Sequence, residues 1–195
     1  MARLKDLLSV LIVSGGESAR HKLYEKLDQA VFDPVSFAKS AQEARQLLLH
    51  GNYDIVIINA PLPSEIGHEL ALDIVENTNS QVLLLIKSES YDETRYRVED
   101  AGVITLAKPF SSDMFDSAVN IAIATHHRIE KIEEENKRLR LKLEEIRLVN
   151  RAKWVLVENC AMNEEAAHKY IEKTAMDKRL TRYAVSKQIL KEYDG

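Results

Sequence analysis

The chain has one cysteine in 195 residues, only four prolines, all before residue 110, and no glycine between Gly102 and the terminal Gly195. A single Cys160 cannot close an internal disulfide, which fits a reducing compartment, and the residue reads as a small buried hydrophobe. No apolar run approaches the roughly 20 residues needed to cross a bilayer, so no membrane association is expected. The mixed-charge start leads into an apolar run that ends in Gly-Gly-Glu rather than in a small-residue cleavage site. A secretory signal is therefore not expected, and the expected location is the cytoplasm. Catalytic constellations are also missing. His68-Glu69 opens like a zinc-protease helix, but Leu72 stands where the second histidine is required. His126 and His127 are adjacent, point in different directions on a helix and read as solvated. No Ser/His/Asp or Cys/His arrangement stands out, so neither an enzyme nor a metal or cofactor site is expected.

What is present is a soluble composition, with 45% hydrophobic and 30% charged residues. The net charge of −4 is uneven: residues 146–195 carry +3 and the remainder −7. An acidic front and a mildly basic tail hint at an anionic partner for the tail. Five strand-length runs, LSVLIV, VFDPVSFA, DIVIIN, VLLLI and VITLA, alternate with amphipathic stretches such as ARHKLYEKLDQA and AQEARQLLLH. The runs are apolar on both faces, as parallel strands covered by helices are. The expected fold class is α/β, a five-stranded parallel doubly wound domain, with functional groups at the carboxyl ends of its strands.

The glycine pair in LIVSGGES invites comparison with a phosphate-binding loop. Adjacent Gly15 and Gly16, with no Gly-Lys-Ser/Thr and no third glycine, match neither the Walker spacing nor the dinucleotide fingerprint.

Beyond Phe110, Ser111 or Ser112 can cap a helix, and neither proline nor glycine interrupts the chain past residue 150. Within this helix Ile129, Ile132, Asn136, Leu139, Leu143, Ile146 and Asn150 recur in alternating steps of four and three, an a/d heptad seam with Asn136 and Asn150 at a. Asparagine at a favours parallel two-stranded pairing in fixed register. Glu135 at g would face Arg140 at e of a second copy, whereas Lys142 and Arg147 would repel. A parallel homodimer through a coil about 33 Å long is expected. Leu141 and Leu148 lie off the seam, so part of the helix is also expected to pack on its own protomer. Asn163 and Thr181 can cap two further helices, which with the end of the long one make a three-helix bundle. The expected division is residues 1–125 for the α/β domain, 126–145 for the linker helix and 146–195 for the bundle.

The stretches IVSGGES, DIVIINAPLPSEIG, LLLIKSE and LAKPF give the first 120 residues a layout that resembles the response-regulator receiver domain, a flavodoxin-like fold. Lys108-Pro109, Pro63 and Gly67 match that pattern. In receivers an acidic pair after strand one holds Mg²⁺, an aspartate ending strand three accepts phosphoryl, and a hydroxyl ends strand four. Here Ser14 and Gly15, Asn59 and Ile86 stand at those places. Magnesium takes hard oxygen ligands, chiefly carboxylates, so neither the metal nor phosphoryl transfer at residue 59 is expected. Lys108, without a phosphoryl group to meet, is expected to bond Asn59 or Ser14 or to face solvent. The comparison implies a pseudo-receiver, kept for protein contacts and controlled by a partner such as a sensor protein.

The last 50 residues, IRLVNRAKWVLVENCAMNEEAAHKYIEKTAMDKRLTRYAVSKQIL, resemble the ANTAR domain, the RNA-binding antitermination module of amidase and nitrate regulators. Ala152-Lys153 with Leu156, Glu165-Ala166, Ala175-Met176 with Arg179, and Ala184 carry the match. Trp154 departs from the small residue usual after Ala-Lys. The resemblance implies a transcription antiterminator that binds hairpins in an mRNA leader as a dimer. Arg151, Lys153, Lys178, Arg179 and Arg182 are then the candidates for phosphate or base contact, with Tyr183 as a stacking candidate. Trp154 and Tyr170 are expected in the core. The rival reading is a phosphorylation-independent signalling adaptor whose helical tail binds protein or DNA.

Overall fold

The computed structural model describes residues 7–193. The chain divides between Lys131 and Ile132 into two compact units, and the long helix α5 runs from the first into the second.

The first unit is built on strands β1 (Leu8–Val13), β2 (Phe32–Ala38), β3 (Ile55–Asn59), β4 (Gln81–Lys87) and β5 (Ile104–Lys108). All neighbours are parallel, in the order β2-β1-β3-β4-β5. Period-two alternation sends successive side chains to opposite faces. Val10, Ile12, Ile55, Ile57, Leu83 and Leu85 pack on one face, beneath α1 (Glu17–Glu25) and the first turns of α5 (Ser112–Cys160). Leu11, Val13, Val56, Ile58, Val82, Leu84 and Ile86 pack on the other, beneath α2 (Ala41–His50), α3 (His68–Asn77) and α4 (Tyr91–Val98). Burial on both faces is why these strands read as unbroken apolar runs. The strand order reverses between β1 and β3, so Ser14 and Asn59 mark the switch point where doubly wound sheets place ligands.

Helix starts follow local chemistry. Ser40 Oγ accepts from Glu43 N at 3.2 Å and opens α2, while Glu43 reaches back to Lys39 N at 2.7 Å. For α5 the cap is Ser111, whose Oγ accepts from Met114 N at 3.2 Å. Gly67 begins α3 at φ 103°, a conformation that favours glycine, and a Cβ there would approach Ile58 and Ala60 to 3.3 Å.

In the second unit, α6 (Glu164–Lys178) is capped by Asn163 Oδ1 on Ala166 N at 2.8 Å, and α7 (Arg182–Tyr193) by Thr181 Oγ1 on Ala184 N at 3.1 Å. Its core joins Ala152 and Leu156 of α5 to Ala167, Ile171 and Ala175 of α6 and to Val185, Ile189 and Leu190 of α7. Leu148, off the seam, packs against this core as expected, whereas Leu141 remains 58% exposed. Cys160 is half-buried at the edge, its Sγ 3.1 Å from Tyr193 Oη.

Two core expectations are corrected. Trp154 is 66% and Tyr170 45% exposed. The helices meet through the small side chains of Ala152, Ala167 and Ala175, and that close approach excludes a ring. Trp154 also lies about 200° around the helix from Ala152, and so faces away from the core.

Candidate functional site

The switch point of the first unit holds a chain of hydrogen bonds. Lys108 Nζ donates to Asn59 Oδ1 at 2.7 Å and to the carbonyl of Ala60. Asn59 Nδ2 in turn donates to the buried Ser14 Oγ at 3.0 Å. Behind Ser14, Arg20 Nη1 donates to its carbonyl at 2.7 Å. Burial, with a smaller push from Lys87, lowers the Lys108 pKa below the usual lysine value. Of the alternatives for Lys108, the bond to Asn59 is the one made. Ile86 is buried in the apolar layer on the α2–α4 face, and the hydroxyl nearest the end of β4, Ser88 Oγ, donates to the Lys108 backbone carbonyl at 2.6 Å.

Gly15 sits where two loops meet: a Cβ at this position would lie 3.0 Å from Pro63 Cγ. A side chain at this position would require Pro63 to give by a few tenths of an ångström.

Arg20 escaped the sequence reading, although a signal was present. Arg20, Leu23 and Leu27 recur at helical spacing, so the arginine shares the buried stripe of its segment and is itself only 8% exposed. The same logic corrects His126. Phe115, Ala118, Val119 and Ala122 form the buried stripe of α5, His126 continues it, and the residue is 3% exposed rather than solvated. His127, by contrast, is exposed beside Glu130.

The seam candidates are carried on one stretch of α5 whose residues 130–144 are all exposed. Ile132, Leu139, Leu143 and Ile146 are each about half exposed, and Asn136 and Asn150 are exposed between them. Ile129 is partly buried. Arg138 pairs within the helix with Glu135 at 3.6 Å.

The basic candidates of the second unit fall into two groups. Lys153 is held by Glu164 at 2.8 Å, its side chain only 16% exposed, and this contact lowers the Glu164 pKa. Arg182 lies 3.7 Å from both Glu145 and Glu172. Arg151 is exposed and also has an interaction within the protein. Lys178 and Arg179, in contrast, are exposed and have no acidic partner among the described residues. Tyr183 is 41% exposed in the first turn of α7.

Arg179 ends α6 in the left-handed conformation, φ 53° and ψ 40°. Its N–H bonds Met176 O at 3.2 Å, and Leu180 N–H bonds Ala175 O at 2.9 Å. This double closure is the Schellman arrangement, in which the left-handed position usually belongs to glycine. An arginine there is strained by roughly 1 kcal/mol.

Residues 137–190 match the ANTAR domain family. Over 182 residues the chain is 31% identical to the transcriptional regulatory protein PdtaR of Mycobacterium tuberculosis, spanning 93% of this chain and 88% of that protein. Solved structures share the fold of the first unit. They include the signal receiver domain of an HD domain-containing protein from Pseudomonas fluorescens Pf-5, with TM-score 0.59, 24% identity, 67% of this chain and 97% of that one. An adenylate cyclase structure from Rhodopirellula baltica superposes with TM-score 0.62 at 20% identity, over 68% of this chain and 98% of that one.

Proposed function

The chain belongs to the ANTAR family of transcriptional regulators, with a receiver-fold unit ahead of the ANTAR domain, and on that premise we propose that it is a dimeric RNA-binding antiterminator that works without phosphorylation. The observation that carries the RNA reading is the exposed basic pair Lys178–Arg179 inside the matched region, with Arg179 kept in a backbone conformation where glycine would be more stable. A strained residue that persists points to a use for its side chain. Hairpin loops offer phosphates to such cations and splayed bases to exposed rings. Tyr183 and the exposed Trp154 supply the rings. Lys153 and Arg182 would reach RNA only by leaving Glu164, or Glu145 and Glu172. Lys178 and Arg179 are therefore the primary contacts. Protein crosslinked by ultraviolet light in the cell should carry RNA; a folded dimer that carries none would favour the adaptor instead.

The switch-point network supports control without phosphorylation. Magnesium needs carboxylate or comparably hard oxygen donors. The network holds two cations, Arg20 and Lys108, and its oxygens are already accepting hydrogen bonds. Such a donor set does not fit the metal. Asn59 provides an amide where a carboxylate nucleophile is required. Control then falls to a bound partner, of which a sensor protein is one kind. Incubation with acetyl phosphate and Mg²⁺ should leave the intact mass unchanged. The single change Asn59→Asp should not rescue phosphorylation either, because Ser14 and Gly15 still leave no acidic pair to hold the metal. A stoichiometric phospho-adduct on residue 59 of the wild-type chain would overturn this part of the reading.

A further inference from the structure

At the opposite edge of the sheet, where β3 and β4 begin, a cleft of about 410 Å³ opens between the strand-leading loops and α5. Asp54, Glu130 and His126 line it, together with Asn77, Thr78 and Ser80. All belong to the first unit. His126 is 97% buried, since only 3% is exposed, and neither ring nitrogen has a hydrogen-bond partner. Its Nε2 faces Asp54 Oδ1 at 3.3 Å and Glu130 Oε2 at 3.6 Å, both carboxylates of the cleft wall. Nδ1 has no polar partner at all; leaving a buried ring nitrogen unpaired costs roughly 1–3 kcal/mol, which a hydrogen-bond donor bound in the cleft would offset.

The lining states which ligand fits. Thr78 Oγ1 already donates to Ile74 O at 2.7 Å, Ser80 Oγ to Tyr53 O at 2.5 Å, and Asn77 Nδ2 to Asp73 O at 2.9 Å. Each of these side chains still keeps at least one lone pair for a donor. Asp54 uses Oδ2 to accept from Ser9 N and Oγ at 2.7 and 2.8 Å, which leaves Oδ1 turned toward His126. No lysine or arginine lines the cleft. Two carboxylates, with no basic side chain among the lining residues to oppose them, favour a ligand that is positively charged and donates several hydrogen bonds. Among the described residues no three metal-ligating side chains are spaced to hold an ion. We propose that this cleft binds a small organic cation of the ammonium or guanidinium class, bridging Asp54 at the base of β3 to Glu130 and His126 on α5. The site shares no residue with the switch-point network or with the basic residues proposed to contact RNA. It would give a receiver fold without phosphorylation a small-molecule input on the helix that leads into the coil.

The test is calorimetric titration of the full-length chain with agmatine, which carries both cationic groups, alongside NMR of the His126 ring. Agmatine should bind with a submillimolar dissociation constant and shift the His126 ring resonances. Glu130→Gln, a surface change that spares the core, should weaken binding about tenfold. Asp54→Asn, checked for an unchanged melting temperature, should do the same. Absence of heat and of any His126 shift up to about 10 mM, an affinity too weak to matter, would overturn the proposal. So would binding that both variants leave unchanged, or an equal response to acetate or to Mg²⁺ in place of agmatine.

Discussion

Replacing Leu139 and Leu143 together with lysine should convert a dimer into a monomer. These residues are 49% and 55% exposed on their own chain and occupy consecutive d and a positions of the seam. A leucine that goes from half-exposed to buried gains about 1 kcal/mol, roughly half of what full burial yields. Two such residues on each of two helices supply about 4 kcal/mol, or about a thousandfold in the dimer dissociation constant. Lysine removes that gain and sets like charges across the seam. Leu141→Lys is the control, because Leu141 is the most exposed of the three at 58% and lies off the seam. If exposed apolar surface in general drove association, Leu141→Lys would matter as much. Sedimentation velocity at micromolar concentration reads the outcome. A wild type that sediments as a monomer, or a double variant that stays dimeric, would remove the coil from the account.

Arg179→Gly should do two opposite things: stabilise the protein and weaken its grip on RNA. Glycine suits the left-handed position at φ 53°, so relief of strain should add about 0.5–1 kcal/mol. The same change deletes a cation that has no acidic partner among the described residues, so no internal ion pair is lost to offset the effect. Loss of one charge-assisted contact should lower hairpin affinity about tenfold or more. It should also make the salt dependence shallower by roughly one unit of slope. Thermal melts and gel shifts across a salt series read the two effects separately. A variant that is more stable yet binds as well as wild type would show that Arg179 is an ordinary surface residue. A variant that loses binding through misfolding would instead lose stability, which the melts would reveal.

The strands, the helix caps at Asn163 and Thr181 and the continuous α5 were legible because each rests on a local rule: a two-sided apolar run, a capping side chain, the absence of proline and glycine. Side-chain exposure was less legible, because it depends on helical phase and on what the facing element brings. His126 read as solvated and Arg20 was not singled out, yet both continue the buried stripes of their helices. Trp154 and Tyr170 read as apolar and hence internal, yet alanines hold the helix contacts. For His126 the helical stripe outweighed residue type, whereas for Trp154 and Tyr170 the small alanines of the facing helices decided exposure. At the switch point, the missing acids could be read from single positions. The hydrogen bonds from Lys108 through Asn59 to Ser14 needed the juxtaposition of β1, β3 and β5 that only the folded sheet provides.

The central claim is that the helical unit of this chain holds RNA. Ultraviolet crosslinking in the cell, followed by digestion and mass spectrometry of the nucleotide-bearing peptides, tests it most directly. The account predicts adducts confined to residues 146–195, concentrated around Lys178, Arg179 and Tyr183. Adducts confined to residues 7–131, or a folded dimer with no bound RNA, would contradict it.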